Sequence, residues 1–368
     1  MKISRIARVA AIGAVASLAL AGCAANEGDA AVVPSEEPNE TTLSGTISAT
    51  GASSQTAAQE AWQAGFQLTH TGATVNYEPT GSGTGRTNFQ EGASNFIGSD
   101  RAFNDDEIAA GGFGACLTDD IVEVPLYISP VAVAFNLDGI ESLNLDAETI
   151  ANIFAGNIAT WNDPAIAEDN ADVDLPDTAI TPVHRSDPSG TQETFTTYLK
   201  SAAGDVWEHD PSDEWPLSGG EAAQGTSGVK QVIDAGVGTI GFLDASQAGG
   251  FGQVHIEVQG EFVAYSAEAA SALVEGSPLR EGRGAGDLVF DVDPAAAPAG
   301  AYPIALVSYL IACEQYEDAN TAAIVKEYFA FMASAEGQAA AAANAGNAPI
   351  SEGLREKALA AIDLIQVG

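Results

Sequence analysis

The sequence predicts an α/β protein of two domains. Short apolar segments of strand length alternate with amphipathic helical segments, the pattern of sheets covered by helices. After the first 42 residues about 325 remain, more than one hydrophobic core usually serves. Three segments also share one layout: a strand or turn, then small hydroxyl residues and glycine, then a helix.

The N-terminus reads as an export signal followed by a tether. Lys2, Arg5 and Arg8 precede an apolar run that ends in Leu20-Ala21-Gly22-Cys23. The run is too short and too alanine-rich for a membrane span, and it fits a signal over residues 1–22. Small residues before a cysteine resemble a bacterial lipobox, in which Cys23 is lipidated and becomes the mature N-terminus. The alternative is a plain signal with a chance cysteine. Acyl chains on Cys23 hold a protein to a membrane surface without a spanning helix. The rest of residues 23–42 mixes Glu27, Asp29, Glu36, Glu37 and Glu40 with Pro34 and Pro38. Such a segment has little to bury and reads as a disordered tether.

Beyond the tether, strands are expected at residues 74–78, 121–126, 131–135, 180–184, 239–243 and 304–311. Ala58, Trp62 and Phe66 recur at four-residue spacing, which predicts a helix over 55–69 with one apolar face. Phe195, Tyr198, Leu199 and Ala202 predict another after Gly190. The C-terminal third is alanine-rich helix, for example 322–333 and 356–365.

Composition excludes some function classes. The chain has 13 basic and 51 acidic residues, and loss of Lys2, Arg5 and Arg8 with the signal takes the net charge from −38 to −41. A polyanion of this kind is unsuited to nucleic acid. Besides Cys23 there are two cysteines, Cys116 and Cys313. In an exported chain they either pair as a disulfide or stay as buried thiols. The four histidines are scattered and no Cys-x-x-Cys occurs, so no metal site and no cofactor are expected.

The three loops carry the chemistry. They are Thr50-Gly51-Ala52-Ser53-Ser54-Gln55, Thr80-Gly81-Ser82-Gly83-Thr84-Gly85-Arg86 and Arg185-Ser186-Asp187-Pro188-Ser189-Gly190-Thr191. A helix start leaves backbone N–H groups unpaired and carries partial positive charge. Glycine lets the backbone approach a ligand, and hydroxyls add short neutral donors. Several such starts converging on one point would hold a tetrahedral oxyanion. Taken alone, any one loop is better explained by helix capping: Thr56-x-x-Gln59 and Ser189-x-x-Gln192 both fit capping boxes. The second loop lacks the Lys-Ser/Thr ending of a nucleotide-binding loop. Arg185 can meet two oxyanion oxygens at once, with Asp187 to hold it. Asp100, closing Phe96-Ile97-Gly98-Ser99-Asp100, looks repulsive to an anion. It makes sense if the anion carries a proton, which phosphate does and sulfate does not, and the opposed acceptors then exclude sulfate.

These pieces, in this order, resemble the phosphate-specific solute-binding proteins of bacterial ABC transporters. The resemblance runs through Gly51-Ala52-Ser53-Ser54, Gly81-Ser82-Gly83 and Gly98-Ser99-Asp100. It continues through Ile153-Phe154-Ala155-Gly156-Asn157-Ile158-Ala159-Thr160-Trp161-Asn162-Asp163, the Arg185–Thr191 loop and Tyr302-Pro303-Ile304. It implies a two-lobed, periplasmic-binding-protein-like fold of type II, with mixed sheets flanked by helices, two crossover strands and a ligand cleft between lobes. The crossings fall near Ser129-Pro130 and near residues 299–302. Lobe one is then residues 43–129 plus 301–368, and lobe two residues 130–300. Both Cys116 and Cys313 fall in lobe one. The implied phosphate ligands are Ser53, Ser54, Ser82, Asp100, Arg185, Ser189, Gly190 and Thr191. Asp187 supports Arg185, and Arg86 either reaches the anion or screens it. Ile153, Phe154, Ile158 and Trp161 read as packing in lobe two.

The resemblance therefore implies a monomeric, non-enzymatic protein, lipid-anchored on the extracytoplasmic face of the membrane. It binds inorganic phosphate and delivers it to an ABC import permease. The alternatives are a binder of another oxyanion such as sulfate or molybdate, a surface phosphate sensor, or a phosphoester hydrolase built on Ser189, His184 and Asp187. The last lacks a Gly-x-Ser-x-Gly elbow and has its three residues on one short segment.

Overall fold

A computed structural model describes residues 43–368. The expected signal, Cys23 and the tether lie outside the described residues. In chain order, the first part comprises β1 (Gly45–Gly51), α1 (Thr56–Thr69), β2 (Ala73–Glu78), α2 (Ser82–Gln90), β3 (Phe96–Ser99), α3 (Asp105–Ala110) and β4 (Ile121–Phe135). Next come β5 (Ser142–Leu145), α4 (Ala147–Phe154), α5 (Pro164–Asp169), β6 (Thr181–Arg185), α6 (Gly190–Ala202), β7 (Glu221–Ala223), α7 (Gly225–Ala235) and β8 (Thr239–Asp244). They are followed by β9 (Gly252–Val258), β10 (Glu261–Val263) and α8 (Ala267–Glu275). The chain closes with β11 (Ala305–Cys313), β12 (Gln315–Tyr316), α9 (Ala319–Ala333), α10 (Ala335–Ala345), α11 (Glu352–Ile362) and β13 (Gln366–Val367).

The main sheet is mixed, in the order β2-β1-β3-β11-β4-β8-β6-β7, with β9 joining β4, β5 and β10. β4 is its spine and is buried along its whole length. Up to Pro130 it pairs antiparallel with β11, and from Val131 onward with β8. The sequence predicts two strands here, at 121–126 and 131–135; the structure has one. Neither proline breaks it. Pro130 stands opposite Ala305, where the partner changes, and Pro125 stands at a register shift beside Ser308 and Tyr309. A proline, having no N–H to donate, is tolerated where the ladder is interrupted. β1 is a strand with little signal in the sequence. Its alternation uses Ile47 and Ala49 inward against Thr46 and Ser48 outward, a weak apolar signal.

The expected helix faces form, except that Ala202, at the end of α6, is exposed while Phe195, Tyr198 and Leu199 are buried. Trp62 and Phe66 of α1 are fully buried, and the Trp62 indole donates to the Gly337 carbonyl at 2.8 Å. Trp161 is buried against Phe135, with its indole N–H on the Gly238 carbonyl; Ile153, Phe154 and Ile158 are buried with it. Between α8 and β11 the chain returns to β4: the Glu123 N–H donates to the Gly286 carbonyl, and the Leu288 N–H donates to the Glu123 carbonyl. There Arg283 meets Glu123 and Asp287 at 2.7 and 2.6 Å. No helix among the described residues is long and apolar enough to cross a membrane.

Cys116 and Cys313 are joined as a disulfide, with Cα atoms 5.2 Å apart and a sequence separation of 197. So long a closed loop restricts the unfolded chain strongly. Replacing both by serine is expected to lower unfolding stability by about 3 kcal/mol, measured by urea denaturation. An unchanged midpoint would show that the bridge is not a stabilising element.

Candidate functional site

Three helix starts and one strand interior converge on Asp100. β1 ends at Gly51, whose φ is +144° and where a Cβ would collide with the Gly98 carbonyl, so the turn admits only glycine. The chain then makes a short 3-10 turn over Ser53–Gln55 before α1. From it, the Ser54 hydroxyl donates to Asp100 Oδ1 at 2.6 Å. The second loop turns at Gly81 (φ +97°) into α2, which begins at Ser82. Ser82 Oγ accepts the Asp100 backbone N–H at 3.0 Å.

The third loop comes from β6 and faces the first two. Ser189 is the N-cap of α6 and accepts the Gln192 N–H. Gly190 lies so close to Asp100 that a Cβ on it would stand 2.5 Å from the Asp100 Cβ. Thr191 Oγ1 donates to Asp100 Oδ2 at 2.7 Å. Arg185 is buried and donates through Nε to Asp187 Oδ1 at 2.8 Å, with Nη2 on Oδ2. The Gly83 N–H donates to the Pro188 carbonyl, so the second and third loops touch directly.

The structure brings Ser54, Ser82, Asp100, Gly190 and Thr191 into one buried cluster, with Ser53, Arg185, Asp187 and Ser189 in the same loops around it. Three further residues were not singled out from the sequence. Ser308, in the middle of β11, donates to Asp100 Oδ1 at 2.6 Å. Gly225 and Thr226 start α7 and form a fourth donor turn: the Gly225 N–H donates to Asp187 Oδ1 and the Thr226 N–H to Ser53 Oγ. The signal for this turn was Gly225-Thr226-Ser227 before Val229 and Ile233 at helical spacing. Of the two capping boxes considered, Ser189 does cap. Thr56 instead donates to the Ser53 carbonyl, and α1 has no side-chain cap.

Arg86 points along the rim of the site. Its Nη2 meets Asp213 Oδ2 at 2.8 Å and its Nη1 donates to Ser99 Oγ. Asp213 is tied to the third loop, because its carbonyl accepts from the Ser189 N–H and from Gln192 Nε2. Beside this pair Arg101 Nε meets Glu193 Oε2 at 3.0 Å. Burial pushes the Glu193 carboxyl above its usual range, against the pull of Arg101. Burial likewise draws the Arg86 guanidinium below its usual value, and nearby Arg101 adds to this. A cavity of about 460 Å³ opens beside Asp100 and Gly190 and is lined by Arg101, Glu193, Asp213 and Arg280.

A hydrolytic arrangement does not form among the described residues. The His184 ring stacks on Trp215 at 5.0 Å, and its Nδ1 lies against the Arg185 carbonyl. The Ser189 hydroxyl caps α6, and no hydrogen bond links it to that imidazole.

Comparison with known proteins gives consistent relatives. Residues 36–336 match the family described as a PBP superfamily domain. The chain is 32% identical over 330 residues to the phosphate-binding protein PstS2 of Mycobacterium bovis (strain BCG / Pasteur 1173P2), covering 87% of each. It is 28% identical over 329 residues to the phosphate-binding protein PstS of Xylella fastidiosa, covering 85% of this chain and 86% of that one. Among solved structures it resembles a high-affinity periplasmic phosphate-binding protein (PfluDING) bound with phosphate. That match has a TM-score of 0.70 and 22% identity, over 86% of this chain and 93% of the other. A putative phosphate ABC transporter substrate-binding protein from Clostridium perfringens follows at TM-score 0.58 and 17% identity, over 83% of this chain and all of that one. At such identities the structural matches speak to the fold.

Proposed function

We propose, since this chain belongs to the PBP superfamily and within it to the PstS phosphate-binding proteins, that it captures inorganic phosphate for an ABC import permease. The observation that carries this is the environment of Asp100: a buried carboxylate that receives hydroxyls from Ser54, Thr191 and Ser308 where helix starts meet. Lobe one is residues 43–129 plus 301–368 and lobe two residues 130–300. The lobes join where β4 changes partner. Phosphate bridges them and favours the closed state.

The ligands are Ser53, Ser54, Ser82, Asp100, Arg185, Ser189, Gly190 and Thr191. Hydroxyl hydrogens rotate freely. On binding, Ser54 and Thr191 turn theirs from Asp100 to phosphate oxygens, and the phosphate proton takes a place at the vacated carboxylate. Helix-start N–H groups and Arg185 neutralise the other oxygens, with Asp187 holding the guanidinium. The overall negative charge does not forbid this. Its field is screened over ~8 to 10 Å at ordinary salt, whereas the donors act at contact. Anchoring through a lipid on Cys23, on the extracytoplasmic face, keeps a monomeric, non-enzymatic binder beside the permease. Calorimetric titration with inorganic phosphate tests the reading. One saturable site is expected, and no binding would overturn it.

The rim ion pairs set how long phosphate stays. Arg86–Asp213 and Arg101–Glu193 join the two sides of the cleft, and Asp213 also suspends Ser189. The double substitution Glu193→Gln with Asp213→Asn is expected to speed phosphate release about 10-fold, because Arg86 and Arg101 lose their partners on the facing elements. Stopped-flow displacement would read the release rate. Release that stays at the wild-type rate, in low and in high salt, would remove the ion pairs from the account.

A further inference from the structure

We infer that a chain of buried side chains behind the site, Tyr328–Gln59–Gln55–Ser308, fixes Asp100 as a hydrogen-bond acceptor and thereby sets its preference for a protonated anion. The inference rests on the phosphate reading above. The four contacts run in one line. Tyr328 Oη lies 2.9 Å from Gln59 Oε1, and Gln59 Nε2 lies 3.0 Å from Gln55 Oε1. Gln55 Nε2 lies 2.7 Å from Ser308 Oγ, which lies 2.6 Å from Asp100 Oδ1. All four side-chain carriers are buried: Gln55, Ser308 and Tyr328 at 0% exposure and Gln59 at 1%.

One backbone carbonyl sets the direction of the whole line. Gln55 Nε2 also donates to the Tyr309 carbonyl at 3.3 Å. A carbonyl only accepts, so the amide nitrogen of Gln55 faces Tyr309 and Ser308, and its oxygen faces Gln59. Gln59 must then offer its nitrogen to Gln55 and its oxygen to Tyr328, whose hydroxyl donates. Burial holds the Tyr328 phenol far above its usual ionisation, so that donor persists. At the other end Ser308 accepts from Gln55, and its single hydrogen goes to Asp100. Every bond therefore points at the carboxylate. Bonds aligned head to tail polarise one another and strengthen the last of them, onto Asp100.

The line passes where Gly98 leaves room, since a Cβ there would stand 2.6 Å from Gln55 Oε1. Ser54 and Thr191 are free to turn to phosphate; Ser308, held by Gln55, is not. Asp100 thus keeps a committed donor when the other two leave, and its remaining lone pairs face the ligand's hydroxyl.

The test is titration with inorganic phosphate and with sulfate of wild type, Ser308→Ala, Ser308→Thr and Tyr328→Phe. Several charged or titratable groups surround Asp100. Tyr77 and Tyr127 are both held protonated by burial. Arg86 and Arg101 lie on its own side, and Arg185, Asp187, Glu193 and Asp213 on the facing elements. All stay in place in these variants, so a shift against wild type reports on Asp100. Ser308→Ala is expected to cut the phosphate-to-sulfate preference about 10-fold. Tyr328→Phe, remote from the ligand, lowers it by a smaller amount, and Ser308→Thr keeps it near wild type. Wild-type preference in both Ser308→Ala and Tyr328→Phe would overturn the relay while leaving phosphate binding intact. Should Ser308→Ala fail to fold, Tyr328→Phe alone decides by the same readings. If wild type itself binds no phosphate, the functional reading falls, and this inference with it.

Discussion

Asp100→Asn is expected to admit sulfate. In wild type the buried carboxylate offers an oxyanion only acceptor atoms, so an anion without a proton meets opposed lone pairs in a dry site. Sites built around a ligand's own hydroxyl reject analogues lacking it by about 10⁴-fold. Asparagine presents an N–H₂ in place of one oxygen and can donate to a fully ionised anion. Phosphate should weaken by about 10-fold to 100-fold, since one hydrogen bond to a charged group is lost. Sulfate should rise to comparable affinity, so the ratio of the two collapses. Paired titrations read this directly. An unchanged ratio would sink the proton-reading role even with phosphate as ligand.

Gly190→Ala is the second large effect, and it tests closure rather than chemistry. Alanine keeps the Gly190 N–H and suits the first turn of a helix. Its methyl, however, would stand 2.5 Å from the Asp100 Cβ and 3.0 Å from that residue's backbone carbons. Those atoms follow directly on β3 and cannot swing aside as a flexible side-chain tip would. The third loop must therefore stay back from Asp100. Overpacking of this kind costs about 3 kcal/mol or more, which is about 100-fold in affinity. The loss falls on the closed form, so unfolding of the ligand-free protein should change little. Wild-type affinity in this variant would mean that the loops need not meet to hold the ligand.

Much of the site was legible because its parts are local. Gly81-Ser82, Asp100 and Arg185–Thr191 each sit in a short segment whose residue types state their chemistry. The two cysteines beyond Cys23 left a single possible pair, and the structure joins them. What escaped the sequence depends on distant partners. Ser308 is one polar residue in the buried run Ala305–Cys313 and reads as core; its meaning comes from Asp100, 208 positions away. Gln55 and Gln59 look like ordinary residues at the start of a helix until Tyr309 and Tyr328 are placed against them. Arg86 and Asp213 find each other across 127 positions. Among 51 acidic residues, composition gives no reason to choose Asp213. The merging of two expected strands into β4 has the same origin, since prolines look like breaks until the partner strand shows where the ladder is interrupted.

The central claim is that this protein recognises an anion by the proton it carries. Competition calorimetry on the wild-type chain tests it most directly. Phosphate is titrated alone and then in the presence of excess sulfate. The account requires a single phosphate site whose apparent affinity sulfate does not alter. Sulfate that competes on equal terms with phosphate would contradict it.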